Sequence, residues 1–252
     1  MTTIYTDNTQ FQKQPGVKPL YITGHWEVFD ETTGQGNYDL SHVSNVAIDR
    51  AATAYVGLHP TMLIDIETFD LFLDYNNAVY NLQNALRRWK SADPQRMIGL
   101  YAQVPERDYW DAVMLHVVRS ETWSASEMAQ RRKGYAAWQV RNDRLARDLV
   151  PFVDFLCPSI YAFTPLEDSH WTIYAEANLL EALRIAQGKP VWPIHWSLYH
   201  DGAENITLPV WTRMVEFITT FPGINNMIAY APNGVILTEG WQRPVLAANT
   251  NR

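Results

Sequence analysis

Two carboxylates stand inside a segment that otherwise has the sequence of an apolar strand. Residues 63–69 are LIDIETF, so one residue separates Asp65 from Glu67. Side chains of a strand alternate between its faces, which places both acids on the face of Leu63 and opposite to Ile64. Two carboxylates one pleat apart in an apolar surround perturb each other's pKa. The one with the raised pKa could then act as a general acid near neutral pH.

A structural role for these acids is the alternative. They would then pair with arginines, for which Arg50 and Arg96 are the candidates, or cap a helix that begins near Asp70. For an arbitrary pair this role is the more common one. Burying unpaired charge is costly, however, and an apolar strand that runs into a loop brings the two interpretations close to equal.

Hydroxyl, amide and aromatic side chains recur at the ends of other predicted strands, in GHWE, GLYAQVPE, CPSIYAF, PIHWSL and MIAYAPNG. A single tyrosine at a strand end is most often a core residue, so the prediction of a site depends on the whole set. The candidate site residues beside the two acids are Trp26, Tyr101, Gln103, Tyr161, His195, Trp196 and Tyr230.

Several other chemistries lack their sequence motifs. His25 and His195 have no HExxH or paired-histidine spacing around them, so a metal ion is not expected. A GxSxG nucleophile turn and a glycine-rich phosphate loop are both absent from the sequence. No cofactor is therefore predicted.

The composition narrows the range of ligands. The 252 residues include 10 Trp, 13 Tyr and 9 Phe, a content that suits a groove for sugar rings. A formal net charge of -7 disfavours nucleic acid and anionic polymers as partners. The single cysteine, Cys157, lies in the apolar segment FLCPS, which excludes an internal disulfide and predicts a buried thiol.

Short apolar runs alternate with longer helical patterns, as in an α/β protein. The predicted strands are 20–28, 62–67, 97–103, 153–161, 190–198 and 226–231, and the predicted helices are 43–56, 70–91, 123–149, 170–187 and 209–220. Polar residues at the carboxyl ends of several strands favour a barrel over an open sheet. We therefore predict a single TIM-like (β/α) barrel, distorted or with fewer than eight strands, over 20–252.

The first 19 residues are polar and contain two prolines and a glycine, so they are predicted to form a tail or docking arm. They lack the charged start and continuous apolar segment of a signal peptide, and no later stretch is long enough to span a membrane. We expect synthesis in a cytoplasm without membrane association. Release by lysis, or carriage on a larger particle through the arm, remains open.

The ordered motifs LIDIETF, IGLYAQVP, CPSIYAF and KPVWPIHWSLYHD resemble those of the hyaluronidase-type glycoside hydrolases, over about residues 60 to 201. The resemblance implies a distorted (β/α) barrel and a retaining, substrate-assisted hydrolysis of glycans that contain N-acetylhexosamine. Ile194 stands where the family has a tyrosine, and Tyr230 where it usually has a tryptophan. A neutral or N-acetylated oligosaccharide or polysaccharide is the expected substrate.

Carried over by position, the resemblance also implies individual roles. Glu67 would be the general acid and then the base, and Asp65 would orient and polarise the acetamido group. Tyr161 would donate a hydrogen bond near that group, while Tyr101 and Tyr230 would line the sugar subsites.

Two alternatives stay open from the residues themselves. A conventional glycosidase, such as a cell-wall muramidase, would pair Glu67 with a second carboxylate from Asp30, Glu106 or Asp201. A carbohydrate-binding or structural barrel in a larger assembly would keep the aromatic rim without turnover.

Overall fold

The structure, a computed structural model, describes most of the chain with several gaps. The described residues are 2–7, 11–14, 16–24, 27–29, 43–66, 71, 74–108, 110–117, 123–163, 168–200, 205–230 and 239–250.

Strands within these ranges form two four-stranded sheets in which every pairing is parallel. The strands are β1 Thr3–Thr6, β2 Val17–Pro19, β3 Tyr21–Thr23, β4 Thr61–Ile64, β5 Met97–Tyr101, β6 Phe155–Cys157, β7 Ile194–Trp196 and β8 Asn226–Tyr230. One sheet has the order β2-β1-β8-β7 and the other the order β3-β4-β5-β6.

The two sheets join into a ring at both edges. At one seam only Leu20 separates β2 from β3, and its N–H donates to the Thr6 carbonyl at 2.8 Å. At the other seam a parallel bridge joins Ser159, just after β6, to Ile194 of β7. Because β2 and β3 behave as one bent strand, the described ring has seven strand positions. The prediction of a distorted α/β barrel is confirmed.

Helices connect most of the consecutive strands, as parallel pairing requires. They are α1 Asn45–Ala54, α2 Tyr75–Ala92, α3 Trp110–Val117, α4 Ala125–Leu149, α5 Asp168–Ile185, α6 Leu208–Thr220 and α7 Glu239–Thr250. Five of them agree with predicted helices within a few residues. The sequence did not indicate α3 or α7. In the case of α7 the reason is Pro244, because proline normally interrupts a helix. Among the described residues, no helix has both the length and the apolarity to cross a membrane.

The predicted N-terminal tail is wrong for Thr3–Thr6 and for Val17–Pro19, because these residues form β1 and β2, and β1 lies between β2 and β8. Ile4 packs in the layer between the sheet and the helices, while Tyr5 packs in the barrel interior. A four-residue strand buried on both faces has no alternating pattern to recognise, and polar neighbours further mask it.

Alternation along β4 is as predicted. Leu63 belongs to the interior cluster, whereas Met62, Ile64 and Ile66 belong to the cluster that packs against the helices. The face of Leu63 is therefore the inward face of the strand, and Asp65 follows it by one pleat.

An aromatic stack fills the interior below the carboxyl ends of the strands. The Trp192 ring stacks on Tyr5 with 4.3 Å between centroids and on Phe155 with 4.1 Å. Gly99 leaves the space for this stack, since a Cβ there would lie 2.3 Å from the Phe155 ring. We call the Tyr5, Trp192 and Phe155 rings the aromatic floor.

Candidate functional site

Interior side chains at the carboxyl ends of the strands follow the strand register. Tyr101 of β5 pairs directly with Cys157 of β6. Asp65 continues the pairing of β4 with β5, in which Ile64 lies opposite Leu100, and so falls beside Tyr101. Asp65, Tyr101 and Cys157 therefore form one inward-facing row, the Asp65 row.

A second row, the Trp196 row, contains Tyr161, Trp196 and Tyr230. Trp196 of β7 pairs with Tyr230 of β8, and their rings meet edge to face at 5.5 Å. Tyr161 lies two residues beyond Ser159, which pairs with Ile194, so it reaches the level of Trp196. Its ring is 5.9 Å from Trp196 and 6.1 Å from Tyr230.

The two rows meet at Tyr101 and Tyr161, whose rings lie 6.0 Å apart. The Tyr101 hydroxyl is 3.5 Å from the Ser159 hydroxyl. Gln103 lies in the turn that follows β5, and its side-chain amide donates to the Ile66 carbonyl at 3.4 Å. The structure thus brings Asp65, Tyr101, Tyr161, Trp196 and Tyr230 around one end of the barrel, with Gln103 at its edge.

The surroundings at this end keep the Tyr161 and Tyr230 hydroxyls protonated. Burial raises the pKa of Tyr161 well above its ordinary value, and Tyr101 and Tyr230 add to the effect. Burial also raises the pKa of Tyr230, with the charges of Asp7 and Asp65 adding to it. The hydroxyl groups are consequently hydrogen-bond donors throughout the neutral range.

Cys157 is fully buried, as predicted. Burial raises the pKa of its thiol well above the ordinary value, and the charge of Asp65 adds to this. Since the thiolate is the reactive form, Cys157 has a packing role. The shift also shows that Asp65 acts on the barrel interior.

His195 does not join the site, and its prediction as a substrate-binding residue is wrong. It neighbours Trp196 along β7, so alternation turns it toward the helices. There it is completely buried, stacked on Trp211 at 5.0 Å and 5.2 Å from the Trp171 ring. Burial lowers its pKa to about 3.

Two other candidates are held by ion pairs away from the rows. Both carboxylate oxygens of Glu106 accept hydrogen bonds from Arg141 on α4, at 3.0 and 3.2 Å. This ion pair favours a structural role for Glu106 over that of a second catalytic carboxylate. Arg96, considered as a partner of the acids, pairs instead with Asp93 at 3.3 Å. It precedes the amino end of β5, opposite to the end where Tyr101 lies.

Glu27, in the GHWE segment, also stands apart from the rows. Its carboxylate accepts hydrogen bonds from Tyr21 at 2.8 Å and from Tyr55 at 2.9 Å. Burial raises its pKa, and these hydrogen bonds oppose the rise. Other predicted residues lie outside the described ranges, namely Glu67, His25, Trp26, Asp30 and Asp201.

Asp7 is the residue at this end that sequence reasoning missed. It follows β1, and continuing the pairing of Tyr5 with Ile228 places it opposite Tyr230. Because Tyr5 points inward, Asp7 shares the inward face. Recognition of TIYTD as a barrel strand would have identified it.

This end of the barrel suits a polyhydroxylated ligand. It offers carboxylate acceptors, phenol donors and the partly exposed rings of Trp196 and Tyr230. The indole N–H of Trp196 is buried and has no hydrogen-bond partner among the described residues. A ligand oxygen placed there would satisfy it.

Comparisons with known proteins support the fold. No protein-family model matches the chain, and no curated protein matches it. Bee venom hyaluronidase has a similar structure with 14% sequence identity and a TM-score of 0.63, covering 98% of this chain and 96% of that one. The same enzyme in complex with a hyaluronic acid tetramer gives a TM-score of 0.60, covering 98% and 94%.

A glucosidase from Croceicoccus marinus is also similar, with 10% identity and a TM-score of 0.51, over 86% of this chain and 43% of that one. At these identities the likeness establishes the TIM-barrel type of fold. It is the side chains at the carboxyl ends of the strands that must indicate the chemistry.

Proposed function

We propose that this chain is a retaining glycoside hydrolase that cleaves glycans containing N-acetylhexosamine. Glu67 is the general acid and base, and Asp65 orients the acetamido group. The observation on which this depends is the placement of Asp65 on the inward face, in a row with Tyr101 and within electrostatic reach of Tyr230. Barrel enzymes build their active sites at this end.

In the proposed reaction, the substrate supplies its own nucleophile. The acetamido carbonyl oxygen attacks the anomeric carbon while the bond to the leaving oxygen breaks and Glu67 gives that oxygen a proton. Asp65 accepts a hydrogen bond from the acetamido N–H. Its charge stabilises the positive charge that develops on the ring closed by the attack of the acetamido oxygen. Glu67 then removes a proton from water, whose oxygen attacks the anomeric carbon and restores the acetamido group with overall retention.

The Trp196 row supports the positioning that this mechanism needs. Tyr161 keeps its proton and can donate to the acetamido oxygen. Ile194 is 1% exposed and lies one pleat below Trp196, so it contributes no hydrogen bond where the resembling family has a tyrosine. Trp196 shares the inward face of β7 with Ile194, and its unpartnered indole N–H can supply a donor beside that position.

The comparison structures support a polysaccharide substrate. Bee venom hyaluronidase, which shares the fold over nearly the full chain, is known in complex with a hyaluronic acid tetramer. That polymer contains N-acetylhexosamine, the group on which Asp65 is proposed to act. The net charge of -7 favours a less acidic glycan for this chain.

Hydrolysis of chitin-type, peptidoglycan and glycosaminoglycan oligosaccharides tests the proposal. Glu67→Gln should lose at least about a hundredfold in kcat, the usual contribution of general acid catalysis. Asp65→Asn should be impaired on N-acetylated substrates. Glu176→Gln, the same change at an exposed position on α5, is the matched control and should retain activity.

Two outcomes would contradict the proposal. One is full activity of Glu67→Gln, which would exclude this residue as the acid. The other is inverted stereochemistry of the first product, measured by NMR, which would exclude substrate assistance and favour two conventional carboxylates.

A further inference from the structure

Asp7 is a second carboxylate on the inward face, separated from Asp65 in the ring of strands. It follows β1, and the pairing of β1 with β8 places it beside Tyr230. It therefore extends the Trp196 row by one residue. Asp65 lies in the other row, after β4. A ligand that contacts Tyr230 from the barrel axis also comes within reach of Asp7.

The electrostatic data agree with this placement. The charges of Asp7 and Asp65 both contribute to the raised pKa of Tyr230, after the larger effect of burial. The Tyr230 hydroxyl is thus close enough for the charges of two carboxylates, which follow different strands, to act on it. A sugar packed against that ring would meet the same two charges.

Two cations of the described structure contact aromatic rings rather than Tyr230. Arg107 follows β5 and stacks its guanidinium on the Phe163 ring at 5.2 Å, across the ring of strands from β1. The Lys18 ammonium lies 5.8 Å from the centroid of Tyr5, one pleat below Asp7. The charges that act on the Tyr230 hydroxyl are those of Asp7 and Asp65, and both are negative.

We infer that Asp7 is a specificity-determining residue that accepts hydrogen bonds from hydroxyl groups of a neutral sugar beside Tyr230 and disfavours an anionic sugar at that position. The inference rests on the proposed glycosidase function. A carboxylate has about four acceptor positions, so a local hydrogen bond to Asp7 leaves capacity for adjacent sugar hydroxyls. A uronic acid or sulfate group at the same position would instead face a like charge.

The test compares neutral chitin-type oligosaccharides with hyaluronan oligosaccharides of equal length. Asp7→Asn should lower kcat/KM for the neutral substrate about tenfold or more, as expected when a charged acceptor is lost. It should not lower kcat/KM for the anionic substrate, so the preference for neutral over anionic glycan falls at least about tenfold. Asp49→Asn, on the exposed surface of α1, is the matched control and should keep the wild-type preference.

Salt dependence of the wild type gives a second measurement that does not depend on a variant folding. Because like charges repel less at higher ionic strength, KM for the anionic substrate should fall between low salt and about 0.15 M. KM for the neutral substrate should not change. Asp7→Asn should show a smaller salt effect than wild type and Asp49→Asn, because Asp65 and most of the net charge of -7 remain.

The possible outcomes distinguish the role of Asp7 from the proposed glycosidase function. If wild type cleaves glycans but Asp7→Asn keeps the preference of Asp49→Asn, or loses activity equally on both substrates, the role of Asp7 is refuted and the function stands. A wild-type KM for hyaluronan oligosaccharides that does not change with ionic strength also contradicts the role of Asp7. If wild type neither binds nor cleaves any oligosaccharide, the proposed function and the inference both fall.

Discussion

Replacement of His195 by phenylalanine should make the protein more resistant to acid without changing its activity. The imidazole is completely buried between the Trp171 and Trp211 rings, and burial lowers its pKa to about 3. In the unfolded chain the same group titrates near its ordinary value of about 6.5. A phenylalanine ring can keep the aromatic contacts while removing the titration.

The sign and the size follow from proton binding. Between pH 6.5 and about 3 the unfolded state binds a proton at this position and the folded state does not, so stability falls as the pH falls. The full gap corresponds to about 5 kcal/mol, of which about 3 kcal/mol is lost by pH 4.5. That is a large share of the roughly 5–15 kcal/mol that stabilises a typical domain.

Urea unfolding at about pH 7.5 and 4.5 measures this loss in wild type and His195→Phe. The difference in unfolding free energy between the two pH values should be about 3 kcal/mol smaller in the variant. Trp171→Phe is the control, since it weakens the same packing but keeps the histidine and should retain the acid sensitivity. Parallel losses in wild type and His195→Phe would refute the reasoning.

Activity provides the second half of the same experiment. Because His195 faces the helices and Trp196 faces the site, His195→Phe should keep kcat/KM within about twofold at neutral pH, whereas a residue in contact with substrate typically contributes more. A loss of activity in a variant of wild-type stability would restore His195 as a site residue.

Two further substitutions test the aromatic floor and the Trp196 row. Gly99→Ala should cost about 1–3 kcal/mol, lowering Tm by several degrees, because the added methyl meets the Phe155 ring. Adding Phe155→Leu should recover part of that loss, and full additivity of the two changes in thermal unfolding would contradict the clash. Trp196→Phe should reduce kcat/KM about threefold to tenfold with Tm little changed, since one hydrogen-bond donor is lost. Unchanged kinetics would remove that donor from the site.

The sequence predicted the elements whose patterns are long. Six of the strand positions and five of the helices appear close to where alternation and helical periodicity placed them. Asp65 was placed on the inward face by the same alternation, and its neighbours in the interior bear this out. Local pattern suffices there because β4 is a regular strand with one face to each core.

The errors have equally local causes. His195 and Trp196 are consecutive, so a strand can direct only one of them to the site, and only the partner strands determine which. Glu106 could not be assigned from sequence because its pairing with Arg141 joins a loop to a helix 35 residues away. Asp7 was missed because β1 is too short to show a pattern.

The aromatic composition illustrates how packing and binding compete for the same residues. Trp89, Trp138 and Trp211 are among the largest fully buried side chains, and Trp192 belongs to the aromatic floor. These rings fill the core, so a high tryptophan count alone does not indicate a sugar groove. The ring that favours a sugar site is Trp196, because it lies at the carboxyl end of its strand and its N–H is unpartnered among the described residues.

The floor and the site are mechanically linked because they share strands. Tyr5 precedes Asp7 by one pleat on β1, and Gly99 precedes Tyr101 by one pleat on β5. A shift of either strand by one residue would turn the functional side chain toward the helices. The contact of Gly99 with the Phe155 ring resists such a shift on β5, since no other residue fits there. The floor therefore sets which side chains face the barrel interior at the carboxyl ends of β1 and β5.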